Sequence, residues 1–403
     1  MTPKTSLRTV KLLHLANMHM KKHEWYNLES LSVIVIFFLI FGKDYGEIII
    51  NNYSIICAVI ILFLVFFSFL NLKKLYKSKL DNYAFNSSII SICLLTISAP
   101  FWYSFYNAYI YIGVIFAYLV YILDFNRFRS LLIYTLVFCT FIELIEYATQ
   151  HYFYIVSEGD LELNEKFFSG GSSFRAKGIF KGPLSVGPFS VMTYLLNKNN
   201  RWVLLLAFIS CFLANSRTGL VILSMLFVIQ FFSGKIKAIY LFFTMIVGLV
   251  AITILLSNPY ITASVDRIID VSNVESNNNQ ARIFFWVAGL KTYITYPLSG
   301  LLVGSNGYFH ALYNNNPESG WICLLTDCGI IGFFFYLLPL LYCLSKFEGN
   351  QNKALFYTAI VFFIMNTVIT ANLSATSNIL YWLLMFEFYN KAKYGVSKCD
   401  LKY

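Results

Sequence analysis

The chain has 403 residues and a formal net charge of +10, with 58% hydrophobic, 19% aromatic and only 12% charged residues. Soluble domains carry about 25% charged residues, so a water-soluble globule is excluded. An all-α polytopic membrane protein is expected, a single integral membrane domain over 1–403. The basic excess calls for no nucleic-acid partner, because it falls where membrane topology places it.

In chain order, apolar runs predict about twelve transmembrane helices, each near the roughly 20 residues a span requires. They lie at 29–42, 48–70, 83–101, 104–123, 130–148, 183–197, 201–216, 218–232, 238–257, 319–345, 354–372 and 376–390. The first run follows a mixed segment without a small-residue cleavage site, so it reads as an anchor and not as a cleaved signal. With the N-terminus inside, the basic groups around Lys73, Arg127, Arg129, Lys198, Arg201, Lys235 and Lys391 all fall on the cytoplasmic side. Both termini are then cytoplasmic. No cysteine lies in an outer loop, so neither a disulfide framework nor a metal site is expected.

Two outer loops are long, 149–182 and 258–317, and function on a helical scaffold belongs in such loops. The first contains the acidic run Glu158, Asp160, Glu162 and Glu165, which reads as a solvated face because no histidine or second carboxylate cluster completes a cation site. It then turns glycine-rich and basic through Gly170, Gly171, Arg175, Lys177 and Gly178. That stretch reads as a flexible strap carrying Arg175 and Lys177 over something anionic. In the second loop, Ile283, Trp286, Val287 and Leu290 recur at helical spacing between Gln280 and Thr295, with Arg282 and Lys291 at other positions. An amphipathic helix at the bilayer interface is expected. Tyr293, Tyr296, Tyr308, Phe309 and Tyr313 suit either sugar stacking or ordinary interfacial solvation.

Arg217 sits in the turn Asn215-Ser216-Arg217-Thr218-Gly219-Leu220 between two short runs, so it is recessed from the membrane surface. An arginine at that depth requires a negative partner. Asp327, in the span 319–345, is one; the phosphate of a lipid-linked ligand is the other. Glu318 and Ser319 follow Pro317 at the start of that span. They read either as a helix cap or as a general base with its neighbour at the membrane surface. His310 is an alternative base.

In that order, these segments resemble the O-antigen ligase and polymerase superfamily of membrane glycosyltransferases. The turn at Ser216-Arg217-Thr218-Gly219 is similar to the family's "SRTG" turn. Arg282, Trp286, Gly289-Leu290, Pro297-Leu298, Gly300 and Gly304 resemble its outer-loop helix and the Gly-rich turn after it. Glu318-Ser319, Asp327, Gly329 and Gly332 resemble a segment that in the family opens with His-Asn. Arg175 to Gly178 is a looser fourth match. Glu318 stands where the ligases have histidine, a departure that points to the Wzy-type O-antigen polymerase branch.

The resemblance implies a GT-C-like fold in the bacterial inner membrane, with a periplasmic active site. The implied reaction moves a glycan from undecaprenyl diphosphate to a sugar hydroxyl of another lipid-linked repeat unit, without metal or cofactor. Arg175, Lys177 and Arg217 would bind the diphosphate, Arg282 and Glu318 would be catalytic, and Asp327 and Ser319 supporting. Membrane lipid, a chain-length regulator and the pathway's flippase are the implied partners. A ligase passing the glycan to lipid A core is the nearest alternative. A lipid-linked oligosaccharide flippase is the second, though a relay of buried charge and duplicated halves are both lacking.

Overall fold

The computed structural model describes residues 28–42, 82–98, 108–153, 174–180, 182–198, 200–232, 277–295, 319–345, 363 and 375–394, and every regular element among them is a helix. In order these are α1 (Leu28–Phe41), α2 (Asn82–Ser98), α3 (Ala108–Leu123) and α4 (Phe125–Thr149), then a 3-10 turn (Pro183–Ser185) leading into α5 (Val186–Leu196). There follow α6 (Arg201–Leu213), α7 (Arg217–Phe232), α8 (Asn277–Thr295), α9 (Gly320–Ser345) and α10 (Ala375–Tyr394). The all-α expectation holds. The expected runs at 48–70, 238–257 and, Phe363 apart, 354–372 lie outside the described residues, as do the acidic run, Glu318 and His310.

Helix starts follow local capping chemistry. α4 begins at Phe125, earlier than its apolar run, because Asp124 Oδ1 accepts the Arg127 amide at 2.9 Å while its Oδ2 accepts the Ser30 hydroxyl of α1 at 2.6 Å. Asn200 caps α6 in the same way, accepting from the Trp202 amide at 3.0 Å. At 25 residues, α4 is the one helix among those described that is long and apolar enough to cross a membrane unaided, and several shorter apolar helices surround it. α9 is two segments: Gly329 at φ 61° breaks it, and a non-glycine residue would resist that backbone.

The core sits around α10, which is apolar all round from Ile379 to Phe386 and buried throughout that stretch. It packs on α3, α5 and α9 and also meets α2, where Tyr83 stacks on Tyr389, while α1 bridges α3 and α4. Its aromatic residue Tyr381 stacks on Tyr336 of α9 and Trp382 meets that ring edge-on, ring centroids 5.3 and 5.0 Å apart. Several buried polar groups are paired: Asn378 Nδ2 donates to the Tyr336 hydroxyl at 3.0 Å, Tyr381 donates to the Tyr336 carbonyl at 2.6 Å, and Asn390 Nδ2 donates to the Tyr121 hydroxyl at 2.7 Å. Gly113 admits α10 closely, since a Cβ there would stand 2.8 Å from the Asn378 side chain. A second group, α4 to α7, packs against this core through α5 and holds the site.

Candidate functional site

The site begins with the last third of α4, where Cys139, Glu143 and Glu146 recur on one buried face of an otherwise apolar helix. Glu146 is fully buried and its carboxylate gathers three backbone amides. Oε1 accepts from Phe153 at 3.1 Å, just past the end of α4, and Oε2 accepts from Lys177 at 2.8 Å and Gly178 at 2.9 Å. One carboxylate thus ties together the two described ends of the first long loop. Charge-assisted bonds of this kind are about twice as strong as neutral ones. Gly178 makes the approach possible: its φ is 56°, and a Cβ there would lie 2.5 Å from Cys139 Sγ. One turn before Glu146, Glu143 accepts the Cys139 thiol at 3.1 Å.

Held this way, residues 174–180 are buried throughout, so the stretch expected to be a flexible strap is a fixed inlay where it carries Arg175 and Lys177. The physical reason is the anionic partner. The sequence reading placed something negative beneath the strap, and an internal glutamate meets its amides. Phe174 adds an apolar anchor between Tyr147 and Tyr152, and the Lys177 ammonium lies 4.7 Å from the Tyr152 ring centroid.

The inlay then closes the end of α6. Ala176 N–H donates to the Leu213 carbonyl at 3.0 Å and Arg175 Nε to the Ala214 carbonyl at 3.1 Å. These are carbonyls that a helix terminus otherwise leaves unmet. The turn itself is a Schellman closure: Asn215 takes the left-handed conformation at φ 50°, its amide donates to Phe212 at 2.9 Å, and that of Ser216 donates to Cys211 at 2.8 Å. Asparagine is among the few non-glycine residues that tolerate this backbone. Arg217 then opens α7 half-buried. The small residues around it are there for close packing. A Cβ on Gly187 of α5 would collide with Ser216 Oγ, and one on Gly219 would stand 2.6 Å from Cys211 Sγ.

Of the residues singled out in the sequence, Arg175 is therefore brought to the turn that presents Arg217, while Lys177 hangs on Glu146 through its amide, with its ammonium over Tyr152. Arg282 lies half-buried on α8, which packs on α9 and whose small residues Ala288, Gly289 and Thr292 are buried. Ile283, Val287 and Leu290 face outward at 47%, 46% and 41% exposure. Ser319 is buried just before α9, and its carbonyl accepts the Cys323 amide at 2.9 Å. Asp327 lies on α9 two residues before the break at Gly329. Glu318 lies outside the described residues. Glu146, the residue on which the inlay depends, is not among the residues singled out in the sequence. Its spacing from Glu143 on an apolar helix was the available signal, since acids in such helices are rarely idle.

An all-helical bundle that fixes one buried arginine at the tightly wound interhelical turn from which another opens the next helix is the class of protein the fold and site define. Residues 202–337, from α6 into α9 and about a third of the chain, match the family model described as O-antigen ligase. That match supports membership of the O-antigen ligase and polymerase superfamily, whose members are membrane-associated, glycosyltransferase-like enzymes of polysaccharide assembly. No curated protein and no solved structure matches the chain. The matched segment contains Arg217, Arg282, Ser319 and Asp327 but not α4, Arg175 or Lys177, so the clamp lies outside the part of the chain that the family model covers.

Proposed function

We propose that the protein is an O-antigen or capsular repeat-unit polymerase of the bacterial inner membrane. It transfers a glycan from undecaprenyl diphosphate to a sugar hydroxyl of another lipid-linked repeat unit at the periplasmic face. What supports the reading is that Arg175 bonds the Ala214 carbonyl at the turn from which Arg217 opens α7, where the helix dipole adds positive potential to the guanidinium charges. A diphosphate leaving group suits that corner. The outward-facing aromatic and aliphatic side chains of α4 and α8 support a bilayer setting.

In this mechanism Arg217, the most accessible of the three cations, contacts the diphosphate. Arg175 and Lys177, inlaid behind it, raise the local potential and hold the turn. The acceptor hydroxyl oxygen bonds to the anomeric carbon as the bond from that carbon to the diphosphate oxygen breaks. The electron pair leaves with the diphosphate and the hydroxyl proton passes to Glu318. Fixed positive charge meets the developing negative charge without reorganisation, the largest contribution in most such reactions. Arg282 orients the substrate from the interfacial helix, with Asp327 and Ser319 supporting it at the α9 end. No metal or cofactor takes part, and a chain-length regulator and the pathway's flippase are its working partners.

Deleting the gene and displaying surface polysaccharide on a gel tests the assignment. A core bearing one repeat unit supports the polymerase. Bare core with long lipid-linked chains would make the protein the ligase, and retention of all repeat units inside would make it the flippase.

A further inference from the structure

At the opposite end of α4 from the clamp, a cleft of about 610 Å³ is lined by Arg129, Ile133, Asn197, Asn200, Arg201 and Trp202. It lies where the start of α4 meets the connection between α5 and α6. Arg129 is held in place by its Nε, which donates to the Leu196 carbonyl at 2.9 Å, and by Nη1, 3.4 Å from Asn126 Oδ1. A guanidinium has five N–H donors, so those bonds leave several over at the cleft. Arg201 is exposed at the first turn of α6 and Lys198 lies just before it. The neighbouring acid, Asp124, is committed to Ser30 and to the α4 N-terminus. The cleft is therefore cationic.

Its floor continues into an apolar row. Below Ile133 on the same face of α4 come Val137, Phe141 and Leu144, at 46%, 59% and 48% exposure. From Ile133 to Leu144 the row runs about 16 Å along the helix, close to half of the roughly 30 Å hydrocarbon core of a bilayer. Trp202, 73% exposed at the rim, is the side chain that marks a headgroup boundary.

We propose that this cleft binds an anionic phospholipid, its phosphate between Arg129 and Arg201 and one acyl chain along Ile133, Val137, Phe141 and Leu144. A free phosphate would use the arginines but not the row, and a zwitterionic lipid would use the row but gain little from the arginines. The site rests on the membrane setting proposed above and is independent of glycosyl transfer.

Native mass spectrometry of the full chain, exchanged from detergent into phosphatidylglycerol or phosphatidylethanolamine of the same acyl length, tests it. Phosphatidylglycerol should be retained preferentially. R129Q/R201Q should weaken that retention about thirtyfold and R201Q alone about fivefold, at roughly one basic contact's worth each, while phosphatidylethanolamine is unchanged. R201Q spares the Arg129 tether, and its unfolding temperature in detergent confirms that it is folded. Equal retention of the two lipids, indifference of phosphatidylglycerol to R201Q, or its displacement from the wild type by millimolar inorganic phosphate overturns the proposal. Retention of neither lipid overturns it together with the membrane setting. Chain growth is not read, so a failure of the polymerase assignment stays distinguishable.

Discussion

The two ends of α4 handle positive charge in opposite ways. At its C-terminal end Arg175 and Lys177 are drawn into the protein, where the Ala214 carbonyl accepts the Arg175 side chain and the Glu146 carboxylate accepts the Lys177 amide. At its N-terminal end Arg129 and Arg201 line an open cleft and keep contact with the surroundings. Burying a cation is costly; the Arg175 guanidinium is met by the Ala214 carbonyl, and the segment that carries both cations is held by Glu146 through backbone amides. Cations buried in this way are fixed in place, whereas those at the cleft are positioned for the exchangeable lipid proposed above.

The sharpest way to break the contrast is at Arg217. Arg217→Ala should lower polysaccharide chain growth by about 100-fold or more, the range for removing a preorganised charge at a transition state, while membrane insertion is unaltered. Normal growth with a gel ladder like the wild type's would remove the diphosphate role. Arg282→Ala is expected to act in the same direction.

Next comes the clamp. Glu146→Ala leaves the Phe153, Lys177 and Gly178 amides without their acceptor, at about 1–3 kcal/mol for each group that stays buried and unmet. The unfolding temperature in detergent should fall, and residues 174–180 should become open to limited proteolysis while α10 and its core stay protected. Glu146→Gln retains one acceptor oxygen and should fall between the two. A loop as resistant in Glu146→Ala as in the wild type would mean that the carboxylate does not hold it.

Smaller effects sharpen the backbone part. Gly178→Ala meets both the left-handed φ, about 1–2 kcal/mol, and the contact with Cys139 Sγ. Adding Cys139→Ala should recover the steric share and leave the conformational one, which a comparison of the three unfolding temperatures resolves. Asn215→Gly should be near neutral, because both residues accept the Schellman position, whereas Asn215→Val should cost about 1–2 kcal/mol. Equal stability of those two variants would argue against the left-handed turn.

Much of the helical framework was legible in the sequence. The runs at 29–42, 83–101, 104–123, 183–197, 201–216, 218–232, 319–345 and 376–390 each meet an observed helix, because long apolar runs with few breakers leave the backbone no other way to satisfy its hydrogen bonds. α4 outran its expected start since a single cap, Asp124, extends helix through the polar residues Asn126, Arg127 and Arg129. The strap was legible as basic and glycine-rich but was misjudged as loose. Glycine at 178 looks like flexibility in a list of residues, yet in the fold it is the one residue able to approach Cys139 and Glu146. The turn Asn215-Ser216-Arg217 could be recognised as a motif, while its Schellman geometry emerged only with the coordinates.

The sequence by itself determined that this chain is helical, where its apolar runs lie, which ends of those runs are basic, and which arginines deserved attention. Those properties depend on composition and periodicity, which act over a turn or two of helix. Tertiary structure alone decided that Glu146 meets amides more than thirty residues away and that Arg175 closes the helix before Arg217. It also decided that a cationic cleft opens onto an apolar row at the far end of α4. A carboxylate's partner is set by which groups the packed helices bring within about 3 Å, and that distance is fixed by the whole bundle, not by the neighbours in the chain.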